Sequence, residues 1–300
     1  MPTTTINKPE IRARKMKFNF SDIKNANYWG GNAIVSSYFA AMSATFPPGE
    51  KEFIESVRLF QDRINDPHLK KEIKEFIGQE GQHSHQHRKI NEAFAEQGWD
   101  TERIEGKLRN KIANLNRVLS DESRLARTVC FEHITAIMSE FILENQEVLD
   151  DLPESLKSLF LWHTVEEIEH KSVAFDVYET LVGDRNHLRR HMALVTIDFS
   201  ITMLYYQVLA HIWARSLPSW SDLKGAWKFF FGKKGMISNM RQPYLNFYRK
   251  DFHPWEVDNS DLIAAWKASK YADMEISKTT SKETHSDAAN DNKGGLAAAS

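Results

Sequence analysis

Four long helical segments of this chain carry glutamates in the middle of an otherwise apolar stripe, and this repeated conflict limits the folds available to it. Apolar residues at steps of three and four define each stripe, as on the buried face of an amphipathic helix. An ionised carboxylate buried among such residues is costly unless it is paired or bound to a cation. Four stripes with the same conflict therefore indicate one shared compensation.

Two of the four stripes contain the motif Glu-x-x-His, with Glu80 and His83 in one and Glu167 and His170 in the other. Residues three apart in a helix lie about 60° apart around its axis, so each carboxylate and imidazole can converge on one ion. The stripes carry these polar residues in chain order: Glu50; Glu80, His83 and His87; Glu132; His163, Glu167 and His170. Two metal ions in the middle of a four-helix bundle would balance four carboxylates. A buried hydrogen-bond network without metal is the alternative explanation.

Composition indicates an all-α globular protein. Of 300 residues, 41% are apolar, which is ample for a core, and the few glycines and prolines cluster between long helical patterns. The 39 basic and 41 acidic residues nearly cancel, so no nucleic-acid partner is expected. One cysteine, Cys130, cannot form an intramolecular disulfide, and no signal-type apolar segment begins the chain, which favours a cytoplasmic protein.

The patterns divide the chain into four parts. Residues 1–27 are interpreted as a polar arm, 28–186 as the metal-binding bundle, 187–272 as a helical extension, and 273–300 as a disordered tail. Within the bundle, an apolar helix over residues 33–45 is predicted to end at Phe46-Pro47-Pro48-Gly49, which would place Glu50 near the next helix start. The stretch from Gly98 to Asp121 is predicted to be the long crossover between two antiparallel helix pairs.

The order Glu, Glu-x-x-His, Glu, Glu-x-x-His resembles that of ferritin-like di-iron carboxylate proteins, which carry one element on each bundle helix. More narrowly, FPPGEKEFIESVR, EGQHSHQH, FEHITA and WHTVEEIEHKSVAFDVY resemble a bacterial family filed as predicted metal-dependent hydrolases. The resemblance implies a ferritin-like four-helix bundle with two metal ions. Carboxylate and imidazole ligands without thiolate favour iron, with manganese as an alternative. The implied ligands are Glu50, Glu80, His83, Glu132, Glu167 and His170.

An additional histidine departs from the simplest ferritin-like pattern. His163 precedes Glu167 by four residues, an arrangement similar to that of di-iron arylamine N-oxygenases, where an extra histidine binds one iron. His87, four residues after His83, competes for that role. Glu52 and Glu140 are nearby alternatives to Glu50 and Glu132.

The resemblance implies an enzyme that activates dioxygen, with an electron donor, to oxidise a small apolar molecule. The alternative is hydrolysis of an ester or phosphoester by a hydroxide held between two metals. No arginine or lysine lies on the four stripes to hold an anion, which favours an apolar substrate. Iron storage is a third alternative, but nothing in the chain argues for a many-subunit cage.

The C-terminal part leaves a second question open. Residues 192–214 contain seventeen apolar residues of twenty-three, enough to span a bilayer, yet Asp198 interrupts them, which favours a fifth helix packed on the bundle. From Trp220 to Trp255, seven basic and two acidic residues give a local charge of +5 among many aromatics. This segment is either a lid over the bundle end or a contact with an anionic membrane surface, at the inner face of the membrane.

Overall fold

A computed structural model describes residues 8–275, and these form an all-helical protein without a β-strand, as predicted. Its ten α-helices are α1 (Ala33–Gln61), α2 (Pro67–Glu96), α3 (Thr101–Leu115), α4 (Asp121–Glu144), α5 (Glu154–His170), α6 (Val173–Leu181), α7 (Arg185–Trp213), α8 (Trp220–Phe231), α9 (Met236–Asn246) and α10 (Ser260–Lys267). The predicted tail beyond residue 275 lies outside the described residues.

Helices α1, α2, α4 and the pair α5–α6 form the bundle, with α1 packed on α2 and α4 packed on α5. Polar side chains define where these helices begin. Asn32 accepts from the backbone N–H groups of Ile34 and Val35 to start α1, and Asp66 caps α2 ahead of Pro67. The caps fix the helix starts and therefore the heights at which the stripe glutamates enter the bundle.

The predicted helix end at Pro47 and Pro48 is wrong. Helix α1 continues through both prolines for 29 residues, so Glu50 lies in mid-helix and not near a helix start. The two prolines remove two backbone donors at this point, but both residues are buried. Tertiary packing therefore outweighs the local helix-breaking preference.

The fourth stripe is interrupted where its sequence pattern is continuous. Helix α5 ends at His170, and α6 begins at Val173 after a two-residue turn. In this turn Lys171 points toward the C-terminal region, where its Nζ donates to Val257 O at 2.9 Å and to Asn259 Oδ1 at 2.6 Å. The break follows the last histidine of the second Glu-x-x-His motif directly.

The connection between the two helix pairs runs from Gly98 to Asp121, as predicted, and it contains helix α3, which packs mainly on α1. Gly98 adopts a left-handed backbone with φ of +103°, which lets the chain leave α2 and turn into α3. Helix α3 thereby covers one side of α1.

Residues 8–32 precede the first helix, extended as far as Phe20 and with turns at 21–22 and 26–31. From Arg14 to Phe20 the side chains are alternately buried and exposed, with Arg14, Met16, Phe18 and Phe20 buried. The interpretation of residues 1–27 as a polar arm did not anticipate this packing. A single bridge between Met16 and Glu275 joins the segment to the C-terminal end of the described chain.

Helix α7 packs one face on α1 and α4, as expected for a fifth helix. It is also the one helix of the described residues whose length and composition would allow it to cross a membrane, and only 22% of its most apolar 18 residues are buried. Localisation in the cytoplasm stays a prediction. Helices α8 and α9 pack on one another, and α10 packs on α5.

The core consists of two hydrophobic clusters separated by polar side chains. One cluster includes Phe39, Phe94 and Trp162, and the other includes Phe60 and Phe76. On each bundle helix the stripe glutamate lies between residues of the two clusters, so that the polar side chains form a layer across the middle of the bundle.

Candidate metal centre

The structure brings all seven predicted ligands into this layer. Each is at most 6% exposed, and each bundle helix contributes at least one. They are Glu50 on α1, Glu80 and His83 on α2, Glu132 on α4, and His163, Glu167 and His170 on α5. The even placement follows from the stripes, because residues at helical spacing on four packed helices must face one another.

One group of possible ligand atoms is formed by Glu80, Glu132 and His170. The His170 Nε2 atom lies 3.2 Å from Glu80 Oε1 and 3.3 Å from Glu132 Oε2. One nitrogen and two carboxylate oxygens converging from three helices are suited to a divalent cation.

A second group lies beside the first and shares Glu80 with it. Glu80, His83 and Glu167 form one triplet, and Glu50, His83 and His163 form another. The Glu167 Oε1 atom lies 3.5 Å from His83 Nδ1 and 2.9 Å from His163 Nε2. Because the triplets share Glu80 and His83, they form one continuous cluster of donor atoms, which extends to two sides of Glu80.

Many polar atoms of the centre lack a hydrogen-bond partner among residues 8–275. These atoms are Glu50 Oε1, both carboxylate oxygens of Glu80, both of Glu132, Glu167 Oε2, His83 Nδ1 and His170 Nε2. Buried polar atoms are almost always satisfied, so a concentration of unsatisfied ones requires an explanation. A bound cation would satisfy carboxylate oxygens and imidazole nitrogens together, and the residues present therefore fit a metal.

Neighbouring side chains fix which nitrogen of each histidine faces the centre. His83 Nε2–H donates to Glu166 Oε2 at 3.1 Å, and His170 Nδ1–H donates to Gln79 Oε1 at 3.0 Å. The opposite nitrogens, His83 Nδ1 and His170 Nε2, face the carboxylates, and each carries a lone pair when its ring is neutral. This is the usual arrangement of metal-binding histidines, whose second nitrogen is held by a carboxylate or carbonyl.

The two candidates for the extra histidine ligand occupy different positions. His87 uses both ring nitrogens in hydrogen bonds, to Ser43 Oγ at 2.9 Å and to His163 Nδ1 at 2.8 Å. His163 presents Nε2 to Glu167, and a donor chain from His163 Nδ1–H through His87 and Ser43 to Asn91 would leave that Nε2 free to ligate. The geometry favours His163 as the ligand and His87 as its support.

Burial and mutual repulsion shift the pKa values of the acidic groups. Burial raises the pKa of Glu50 and of Glu80 well above the usual range, and the neighbouring carboxylates add to the effect. Burial also raises the pKa of Glu132, to about 7, against the opposing influence of His170. Burial opposes ionisation of Glu167 as well, but His170 and His163 outweigh it and lower the pKa of this group.

Burial lowers the pKa of His83, and proximity to His163 lowers it further. Burial also opposes the charge on His170, but Glu132 and Glu167 raise its pKa above the usual value. Without metal, the centre therefore holds protons that a divalent cation would replace.

A buried network of ion pairs and hydrogen bonds supports the two histidines from outside the group of ligands. Arg14 donates from Nη1 to Glu166 Oε1 at 2.9 Å and from Nη2 to Glu169 Oε1 at 2.6 Å. Gln79 Nε2 also donates to Glu169, at 2.9 Å, so one network reaches both His83 and His170. Sequence reasoning missed Arg14 because it precedes the helices; the available signal was the alternation of Met16, Phe18 and Phe20, which places Arg14 on the same side of an extended chain.

The alternative ligands lie outside the centre. Glu52 pairs with Arg124, whose Nε lies 2.8 Å from Glu52 Oε1. Glu140 accepts a hydrogen bond from Asn259 Nδ2 at 3.0 Å, on the side of the bundle that faces the C-terminal region. Neither carboxylate joins the groups around Glu80.

An apolar cavity of about 100 Å³ reaches the centre from one side. It lies between α1, α3, α4 and α7, and Glu50 forms part of its wall beside Phe46 and Phe53. Two cationic side chains, Lys111 and Arg127, also line it, and both pair with Asp198 of α7, at 2.5 and 3.3 Å. The cavity thus offers an apolar approach to one of the candidate ligands.

The all-helical fold and the buried histidine–glutamate cluster together define a helical-bundle protein with a candidate metal site. The family model described as predicted metal-dependent hydrolase matches residues 12–258, and the chain belongs to that family. The comparisons with curated proteins and with solved structures found no match. The family supports metal dependence and an enzyme, while the resemblance to ferritin-like proteins stays a prediction.

Proposed function

We propose that the centre binds two divalent metal ions. Glu80, Glu132 and His170 would hold one ion, and Glu50, His83, His163 and Glu167 would hold the other, with Glu80 belonging to donor groups on both sides. Support comes from the two overlapping groups of donor atoms and from the buried oxygens that no hydrogen bond satisfies among residues 8–275. Two dications would balance the charge of four carboxylates.

The proposed metal is iron, with manganese as the alternative. Carboxylate and imidazole ligands without thiolate suit these metals. The proposed reaction is oxidation of a small apolar molecule by dioxygen, for which an external donor supplies electrons. When bound, two such ions supply the capacity to accept and deliver electrons at one place.

The observation that carries this proposal is the apolar cavity that ends at Glu50. It would bring a substrate without charge beside the metals while the two hydrophobic clusters exclude bulk water. Arg14, Glu166 and Gln79 would keep the ligating nitrogens of His83 and His170 in position. The protein thereby supplies orientation and a dry site, and the metals supply the reactivity.

Hydrolysis is a second candidate, because the family description names it. In that case the metals would activate water, and the substrate would be an ester or a phosphoester. A phosphoester would need a cationic side chain beside the metals to bind its negative charge, but Lys111 and Arg127 in the cavity wall are both paired with Asp198. An uncharged ester fits the cavity better than a phosphoester.

Metal loading followed by oxygen exposure tests both candidates. Protein purified without oxygen is loaded with Fe(II), its metal content is measured, and absorption is followed in a stopped-flow instrument after mixing with oxygen. About two irons per chain and a transient visible band are expected for the oxidation proposal. Two bound metals that do not react with oxygen would favour hydrolysis, and ester assays would follow.

The ligand assignment has its own control. Glu80→Ala and Glu167→Ala are expected to abolish stoichiometric metal binding, whereas Glu140→Ala, on α4 but outside the centre, is expected to retain it. Full metal content in both ligand variants would contradict the assignment.

A further inference from the structure

One face of helix α7 is apolar and open to solvent. Six aliphatic side chains on it, each 49–64% exposed, are Leu194, Ile197, Ile201, Leu204, Val208 and Ile212. They follow helical spacing over the 19 residues from Leu194 to Ile212, or about 27 Å of helix. Between Arg190 and Arg215 the only Asp, Glu, Lys or Arg is Asp198, and it points toward Lys111 and Arg127. Soluble monomers rarely leave so long an apolar strip uncovered.

Helix α8 presents a second exposed stripe, and this one is accompanied by positive charge. Trp220, Leu223, Trp227 and Phe231 are 48–70% exposed and recur at steps of three and four, so they share one side of the helix. Exposed lysines lie beside and after this stripe, at positions 224, 228, 233 and 234. With Asp222 as the single acid, the segment from 220 to 234 carries a net charge of +3.

Aliphatic residues, tryptophans and lysines in this combination are typical of a helix that lies in the interface of an anionic bilayer. A second copy of the same surface carries the same net positive charge and would not supply the negative charge that these lysines favour. Helix α7 does not need to cross the bilayer, because its opposite face is packed on α1 and α4. We propose that α7 and α8 dock this protein on an anionic membrane surface, and that the substrate enters from the lipid phase.

The cavity supplies the route from this surface to the centre. Phe199, Thr202 and Met203 of α7 line its wall, on the same helix that carries the exposed apolar face. In the cavity wall, the ion pair between Lys111 and Asp198 is about one-third exposed whereas Glu50 is buried, so the cavity runs inward from this ion pair toward the centre. An apolar molecule leaving a bilayer beneath α7 would therefore find a mostly apolar cavity between this helix and Glu50. This second part rests on the proposed function, whereas membrane docking does not.

Vesicle co-sedimentation of the full chain tests the docking. Wild type is expected to bind vesicles of phosphatidylcholine with phosphatidylglycerol, and to bind pure phosphatidylcholine much less. Lys224→Glu with Lys228→Glu is expected to weaken binding at least tenfold, since each lysine near an anionic surface contributes about one kcal/mol. Ile201→Glu with Leu204→Glu is expected to abolish it.

The matched control is Val118→Glu, which places the same charge on an apolar side chain that is 79% exposed in the turn after α3. It is expected to bind as wild type does. Three results would overturn the docking: no binding by wild type, equal binding by all variants, or a wild-type dimer that Ile201→Glu with Leu204→Glu converts to a monomer without vesicle binding.

Thermal unfolding with decanol tests the route independently of turnover. Decanol is expected to raise the melting temperature of wild type and not that of Ile112→Trp, which narrows the cavity from α3. Ile112→Trp is expected to bind vesicles normally. Decanol that fails to stabilise wild type, or stabilises both proteins equally, would contradict the cavity route. Failure of oxygen reactivity alone would affect only the proposed reaction.

Discussion

Replacing Arg14 with methionine removes the one positive charge that reaches both Glu166 and Glu169 from the extended segment. The guanidinium is 4% exposed and donates hydrogen bonds at 2.6 to 2.9 Å to carboxylates whose side chains are fully buried. Removing one partner of a buried ion pair costs about 3–5 kcal/mol, because the other charge is left without compensation.

Two features reduce this cost. Burial raises the pKa of Glu166 to about 8 even with Arg14 beside it, so a proton can neutralise this carboxyl at neutral pH and no bare charge is left there when the arginine is removed. Lys267 Nζ lies 3.4 Å from Glu169 Oε1 and still supplies some positive charge. We therefore expect Arg14→Met to lower the free energy of unfolding by about 3 kcal/mol, the low end of that range.

Urea denaturation of the metal-free protein, followed by far-ultraviolet circular dichroism, measures this change. Arg12→Met is the matched control, since Arg12 lies on the same segment with its side chain 60% exposed, and its loss should cost less than about 1 kcal/mol. Adding Glu169→Gln to Arg14→Met should recover part of the stability. The reasoning is refuted if Arg14→Met and Arg12→Met unfold alike, or if the double variant is no more stable than Arg14→Met.

Three further outcomes are expected. A Cβ atom added at Gly78 would lie 2.7 Å from the Cβ of Ala13, whereas one added at Gly81 would meet nothing within 4 Å. In urea denaturation, Gly78→Ala should therefore be about 1–3 kcal/mol less stable than Gly81→Ala. Burial opposes ionisation of Asp176, but the hydrogen bond from His253 helps lower its pKa below the usual value. The contribution of Asp176 to the free energy of unfolding is therefore present above about pH 4 and is lost as the pH falls through the folded pKa. In urea denaturation, the stability difference between wild type and Asp176→Asn should accordingly shrink in acid. Because burial raises the pKa values of Glu50 and Glu80, metal uptake at pH 7 should release protons, which a pH-indicator dye in weakly buffered solution would detect. Metal affinity should also fall as the pH falls. Metal uptake without proton release would contradict this.

The centre could be predicted from the sequence because its polar residues interrupt the apolar pattern of their helices. Glu80 and His83 interrupt one stripe, and Glu167 and His170 interrupt another, so helical periodicity alone predicts that they face inward. The structure places them together in one layer. The metal itself and its reaction do not follow from periodicity, because the same donors serve several ions and chemistries.

Other features could not be predicted from local rules. Pro47 and Pro48 favour a helix end, yet the tertiary environment carries α1 through them. The break after His170 leaves no mark in the stripe, since residues on both sides keep the helical spacing. Arg14 lies in a segment without helical period, and its role depends on contacts with residues more than 150 positions away.

The network that orients His83 and His170 joins the earliest and latest described parts of the chain. The segment that carries Arg14 pairs with Glu275 through Met16, and the Arg14 guanidinium stacks on Trp266 at 5.3 Å. During synthesis, α1 to α6 leave the ribosome before these C-terminal partners exist. The contacts that hold the histidines themselves lie within residues 14–170, so we expect the nascent bundle to form them first and to hold Arg14 more firmly once residues 266–275 have been synthesised.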